Sequence, residues 1–155
     1  WRSEALLNAA RSALALNDSA SAKLYYTQVT AEIKGEAQAE SNYYLAHFEY
    51  VQSKYEASNE RIFWMIDNLP TYPQWRWKSL LLMAKNYAGL QDDFQANYTL
   101  DYIIDNAEGA IVGEAQQFKS DLARRRAAEE AQAQISDTLE VAPTEMEELE
   151  ELDQE

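Results

Sequence analysis

Cysteine is absent from this chain, histidine occurs once, and only 4 glycines and 3 prolines interrupt it. Without cysteine there is no disulfide and no thiolate metal site, and the redox compartment stays open. So few turn formers cannot punctuate a β-sandwich with its many reversals. No run of about eighteen apolar residues occurs, so the sequence offers no transmembrane segment. Enzymatic chemistry also lacks its parts: a lone His47, no Gly-rich phosphate loop, no His-Glu-x-x-His and no Gly-x-Ser-x-Gly. The paired acids Asp92-Asp93 sit at a turn, where capping a helix explains them. The chain is therefore read as no enzyme, with no catalytic residues, metal ligands or cofactors.

Positive charge is scarce as well, with 13 Lys and Arg against 27 Asp and Glu, a net charge of −14. Nine of the acids lie in residues 136–155 with no base among them, which leaves −5 on the rest, an ordinary value for a folded domain. Nucleic acid is disfavoured as a partner, because phosphate binding needs clustered Lys and Arg. The one basic cluster, Arg124-Arg125-Arg126, is flanked by acids and reads as a solvated helix end.

What is present is a folding composition, 46% hydrophobic and 12% aromatic, dominated by the helix formers Ala, Leu, Glu and Gln. The fold class read from it is all-α. The chain also matches itself. Ala10, Ala22, Tyr26 and Val29 recur 36 residues on as Ala46, Ser58, Ile62 and Met65, and 38 further on as Ala84, Ala96, Leu100 and Ile103. Small residues at fixed places in a period of this size are the signature of stacked helical hairpins, because two helices approach closely only where a side chain is missing.

The expected helices come in pairs. The first covers about 3–16 and 20–33, turned by Asn17-Asp18-Ser19 and ended at Gly35. The second covers about 36–53 and 56–68, closed by Pro70 and Pro73, which cannot sit inside one helix. The third covers about 74–88 and 93–106, and a last helix of about 109–135 has no partner following it. The domain is thus 1–135, with units of about 1–35, 36–73 and 74–108 and a cap helix of 109–135, Leu122-Ala123 taking the places of Leu45-Ala46 and Met83-Ala84. Residues 136–155 have too little apolar content to offset their ordering entropy and read as an acidic, disordered tail, although Met146, Leu149 and Leu152 are spaced for a short amphipathic helix.

Tyr44-Leu45-Ala46, Tyr50, Tyr55-Glu56, Ser58, Ile62, Met65-Ile66 and Pro70 resemble a tetratricopeptide repeat. The other two copies keep the small residues but lack the closing proline, and Ser19 stands where the family has a turn aromatic. The resemblance implies a right-handed superhelix of three helical hairpins plus a C-terminal capping helix. Asn42-Tyr43-Tyr44-Leu45-Ala46, Gln74-Trp75-Arg76-Trp77 and Gln91-Asp92-Asp93-Phe94-Gln95-Ala96 are similar to the C-terminal repeats of tetratricopeptide proteins of Bacteroidetes, many of them exported to the cell envelope. That likeness implies a periplasmic or outer-membrane-associated setting, with the cytoplasm as the alternative. It also implies further repeats N-terminal to Trp1.

By the same resemblance the first helix of each hairpin lines an inner, concave face that holds a protein or peptide partner. The candidate contact residues are Arg11, Tyr43, His47, Tyr50, Lys78, Leu81 and Lys85. Tyrosine and arginine suit the task, offering large contact area and a polar end at little entropic cost. Against this, Tyr43 and Tyr50 could simply pack on the neighbouring hairpin. The alternative function is a structural segment that stacks on upstream repeats or self-associates through the N-terminal hairpin. A groove site requires exposed apolar surface around Tyr43 and Tyr50; stacking requires it near Trp1 and Leu6. Of Trp75 and Trp77, two apart and on different faces, one packs on the previous hairpin and the other is more exposed.

Overall fold

The computed structural model describes the backbone of residues 2–152, and the side chains within it except those of Ser3 and residues 137–152. Among the described residues seven helices follow one another: α1 (Arg2–Ala15), α2 (Ser19–Glu32), α3 (Glu36–Val51), α4 (Tyr55–Asn68), α5 (Pro73–Gly89), α6 (Asp93–Asn106) and α7 (Ala110–Leu152). No strand occurs among the described residues. The all-α expectation holds, and the boundaries of the first six helices fall within two residues of those read from the turn formers.

The repeat is written into the backbone as well as the sequence. Asn17, Ser53 and Gln91, which are 36 and 38 residues apart, all take left-handed conformations, with φ of 59°, 58° and 62°. In each turn that residue's N–H bonds the carbonyl three residues back, and the next N–H bonds the carbonyl five back, as in Asp18 to Ala13 at 2.9 Å, Lys54 to Glu49 at 2.9 Å and Asp92 to Tyr87 at 2.9 Å. This is a Schellman closure, which satisfies the last carbonyls of one helix and reverses the chain into the next. Asp18 and Asp92 then cap α2 and α6, accepting from Ser21 N at 3.0 Å and Gln95 N at 3.1 Å. Lys54 occupies the same place without a side-chain cap. Pro73 opens α5, where a missing N–H costs nothing.

Two compact units are distinguished, residues 1–116 and residues 117–155. In the first, each of α1 to α5 packs on the helix that follows it as far as α6, and α3 packs in addition on α5. Every residue of the self-matching set is buried, from Ala10, Ala22, Tyr26 and Val29 through Ala46, Ser58, Ile62 and Met65 to Ala84, Ala96, Leu100 and Ile103. The alanines and Ser58 set the spacing, and each large partner contributes about 1.5–3 kcal/mol by leaving water. Ser58 Oγ donates to Ala46 O at 2.8 Å, and Asn86 Nδ2 donates to Ser58 Oγ and Asn59 Oδ1, both at 2.8 Å. This buried polar chain ties α3, α4 and α5 in register. Gly89 is needed for a different reason: a Cβ there would meet the Tyr55 ring at 2.5 Å. The turn aromatic of the second hairpin thus seats the end of α5.

Within the second unit the chain continues as α7. Asp121 accepts from Gln117 at 3.0 Å and pairs with Arg124, Arg126 pairs with Glu129 at 2.8 Å, and Arg125 lies 5.9 Å from the Phe118 ring centroid. The three arginines are therefore engaged along their own helix. α7 extends past the boundary expected near Ile135, its backbone helical to Leu152. The disordered tail expected over 136–155 falls on residues whose side chains, or whose backbone from 153 on, lie outside those described. Ala123, matched by sequence to Ala46 and Ala84, is exposed, and among the described side chains of α7 the buried ones are Ala115 and Leu122. Ala46 and Ala84 are each covered by the returning helix of a hairpin, and among the described residues no helix follows α7.

Candidate functional site

On α3, Glu40, Tyr43, His47 and Tyr50 follow at spacings of three, four and three, which sets them on one face. On α5, Lys78, Leu81 and Lys85 repeat that spacing. Because α3 packs on α5, the two stripes meet. Tyr43, His47, Tyr50, Lys78, Leu81 and Lys85 line a single cleft of about 130 Å³, together with Leu82 and with Ile111 and Glu114 from the first turns of α7. All of these belong to the unit 1–116.

Aromatic rings form the walls. His47 stands between Tyr43 and Tyr50, with centroids at 6.4 and 6.1 Å. Tyr43 leans on Trp75 at 5.7 Å and Tyr50 on Tyr55 at 5.8 Å. The Lys78 ammonium lies 4.7 Å from the Trp75 ring centroid, an attraction between cation and ring face. The tyrosines therefore have packing neighbours and also present an edge to the cleft, each half-buried. Leu81 and Leu82 are buried and supply the apolar floor.

Electrostatically the cleft is mixed, with two ammonium groups, one carboxylate and one imidazole. Burial pushes the His47 pKa below its ordinary 6.5, and Lys85 adds to the effect, so the ring is neutral at pH 7. Burial likewise raises the Tyr43 hydroxyl, with smaller contributions from Tyr44 and Glu114. Such a cavity suits an apolar or aromatic side chain that carries a polar end. Among the described residues no group of three or more His, Cys, Asp or Glu is placed to hold a metal ion.

Arg11 lies apart from this cleft. Its guanidinium donates to both oxygens of Glu40, Nε to Oε1 at 2.7 Å and Nη2 to Oε2 at 2.5 Å, clamping α1 to α3. The Glu40 side chain is 4% exposed and that of Arg11 53%, so the arginine closes over a buried carboxylate. Tyr26, stacked on Tyr44 at 4.9 Å, lies beside the same carboxylate. Burial, then the Glu40 charge, pushes its hydroxyl pKa up. Sequence reasoning missed Leu82, Ile111 and Glu114. Trp75 is the tryptophan that packs on the previous hairpin, against Tyr43 and Tyr44, whereas Ile111 and Glu114 depend on where α7 begins its path.

At the places expected to separate the two functional readings, Val51 beside Tyr50 is exposed, as are Leu16 and Leu24 of the first hairpin; Leu6 is half-buried and Trp1 is outside the described residues. The most exposed aromatic side chains stand on α4 and α6: Phe63 at 49%, Trp64 at 45%, Phe94 at 76% and Tyr98 at 65%. No helix among the described residues is long and apolar enough to cross a membrane. No family model matches the chain, and no curated protein sequence matches it.

Proposed function

We propose that this chain is a tetratricopeptide-like, non-enzymatic scaffold that holds a segment of another protein in the cleft between α3 and α5. The observation that carries the reading is the convergence of Tyr43, His47, Tyr50, Lys78, Leu81 and Lys85 on one cavity. These residues come from two helices more than twenty positions apart, and the resemblance to a tetratricopeptide repeat had nominated them. The repeated Schellman turns and the buried small residues support a superhelix of three hairpins, with the six cleft residues on its inner face and α7 as its cap. A cell-envelope setting belongs to the same proposal and rests on resemblance alone.

Half-buried tyrosines with fixed neighbours lose little entropy when a partner covers them, which makes them efficient anchors. Lys78 and Lys85 at the rim favour a partner segment with acidic or carboxylate groups near its apolar anchor. The test is a cross-linked pull-down comparing the wild-type chain with Tyr43→Ala, Tyr50→Ala, each checked for unchanged helicity by circular dichroism. Loss of a specific partner in the variant is expected. Equal capture by both proteins overturns the cleft assignment, and recovery of only further copies of this chain favours the stacking segment.

A further inference from the structure

A second groove lies between α4, α5 and α6. Phe63 of α4, Leu80, Met83 and Tyr87 of α5, and Tyr98 and Tyr102 of α6 line an apolar groove of about 340 Å³. Phe63, Tyr98 and Tyr102 are 49%, 65% and 40% exposed, an unusual concentration of open aromatic surface. The groove is distinct from the α3–α5 cleft and shares no residue with it.

Charge at its rim identifies what can cover it. Glu56, Glu60, Phe63 and Asp67 lie on one stripe of α4, and Tyr98, Tyr102 and Asp105 on one stripe of α6; all four acids are exposed. α6 has no basic residue. Arg61 of α4 is turned to Glu49, at 2.8 and 3.2 Å, which leaves Arg76 of α5 as the cation on these faces. A second copy of the chain would bring the same acidic rim. The chain's own Met146, Leu149 and Leu152 are embedded in nine acids and no base. Both occupants meet like charge.

We infer that the α4–α6 groove docks a basic amphipathic segment of another protein, apolar side chains entering between Phe63 and Tyr98 while Lys or Arg side chains meet Glu60, Asp67 and Asp105. Cationic groups are attracted by the aromatic faces as well as by the carboxylates. The site does not depend on the α3–α5 cleft being a binding site.

The test is fluorescence anisotropy with the full chain and three labelled helical peptides, one with a Leu face and a Lys face, one with Leu and Glu, and one with Lys and Ser. The Leu–Lys peptide is expected to bind roughly tenfold or more tighter than either of the others. Phe63→Ala, Tyr98→Ala leaves every charge in place and is expected to weaken it about tenfold, as is Glu60→Lys, Asp67→Lys, whereas Tyr50→Ala leaves it unchanged. Equal binding of the Lys–Ser peptide, or full affinity in the Phe63→Ala, Tyr98→Ala variant, reduces the effect to the net charge of the chain and overturns the proposal. Dimerisation of the chain that these substitutions abolish overturns it in favour of a second copy.

Discussion

The two open faces of the second and third hairpins rest on one repeat and differ in almost everything else. On the α3 and α5 side the aromatic rings are knitted together, His47 between Tyr43 and Tyr50 and Lys78 over Trp75, and two lysines border a cleft of about 130 Å³. On the α4 and α6 side Phe63 and Tyr98 stand open at a groove of about 340 Å³, with Glu60, Asp67 and Asp105 exposed on the same helix stripes. Between the faces run the residues that recur with the period, Ala46, Ser58, Ala84 and Ala96, all buried. The comparison separates two kinds of information. Buried small residues specify how close the helices come, and any surface compatible with that spacing is allowed. The two surfaces differ in aromatic packing and in charge, and they do not repeat.

If both faces depend on that shared core, damage to it should exceed damage to either face. Leu100→Ala removes a fully buried side chain of α6 and is expected to cost about 2–5 kcal/mol in urea unfolding. A loss below about 1 kcal/mol would mean the third hairpin is not held as described. Next in size is Arg11→Ala, which strands the buried Glu40 carboxylate at the end of the α3 stripe. Because Arg11 is itself half-exposed, the expected cost is about 1–3 kcal/mol, and Glu40→Gln in the same chain should recover part of it. Additive losses in that double-mutant cycle would show that the pair is not coupled.

Gly89→Ala probes the join between the faces, since its new Cβ would press on the Tyr55 ring that also touches Tyr50. A destabilisation of about 1–3 kcal/mol is expected, shrinking in a Tyr55→Leu background, and an unchanged midpoint would remove the close approach from the account. The smallest effect concerns His47, whose folded pKa lies below 6.5. On acidification the unfolded chain takes up this proton first, so this histidine's contribution is fully present above 6.5 and is lost as pH falls toward the folded value. As the single histidine, His47 gives one imidazole titration by NMR, with its midpoint expected below 6.5. A midpoint at or above that value would place the ring in water rather than between two tyrosines.

Much of the fold was legible because it is local. Asp18, Gly35, Pro70, Pro73 and Asp92 fixed where helices begin and end, and the spacing of Ala10, Ala46 and Ala84 fixed which faces meet. Six cleft residues were nominated by the resemblance, which assigns the first helix of each hairpin to the inner face, and their spacings of three and four agree with one stripe per helix. Arg11 does not line the cleft, because its guanidinium is held by Glu40 across α1 and α3, and a side-chain pairing of that kind is not periodic. Ile111 and Glu114 were missed because their position depends on the direction α7 takes after Gly109, which no spacing records. The exposed aromatics of α4 and α6 were readable singly, yet their common groove required the packing of α5 between them.

The measurement that tests the central claim most directly is site-specific photo-cross-linking in the native host, with a benzophenone side chain at position 50 in the cleft or at position 24 on the first hairpin. The account predicts a cross-link to a different protein from position 50 and none to that protein from position 24. Cross-links from position 24 to further copies of this chain, with position 50 silent, would contradict it and make the chain a stacking segment.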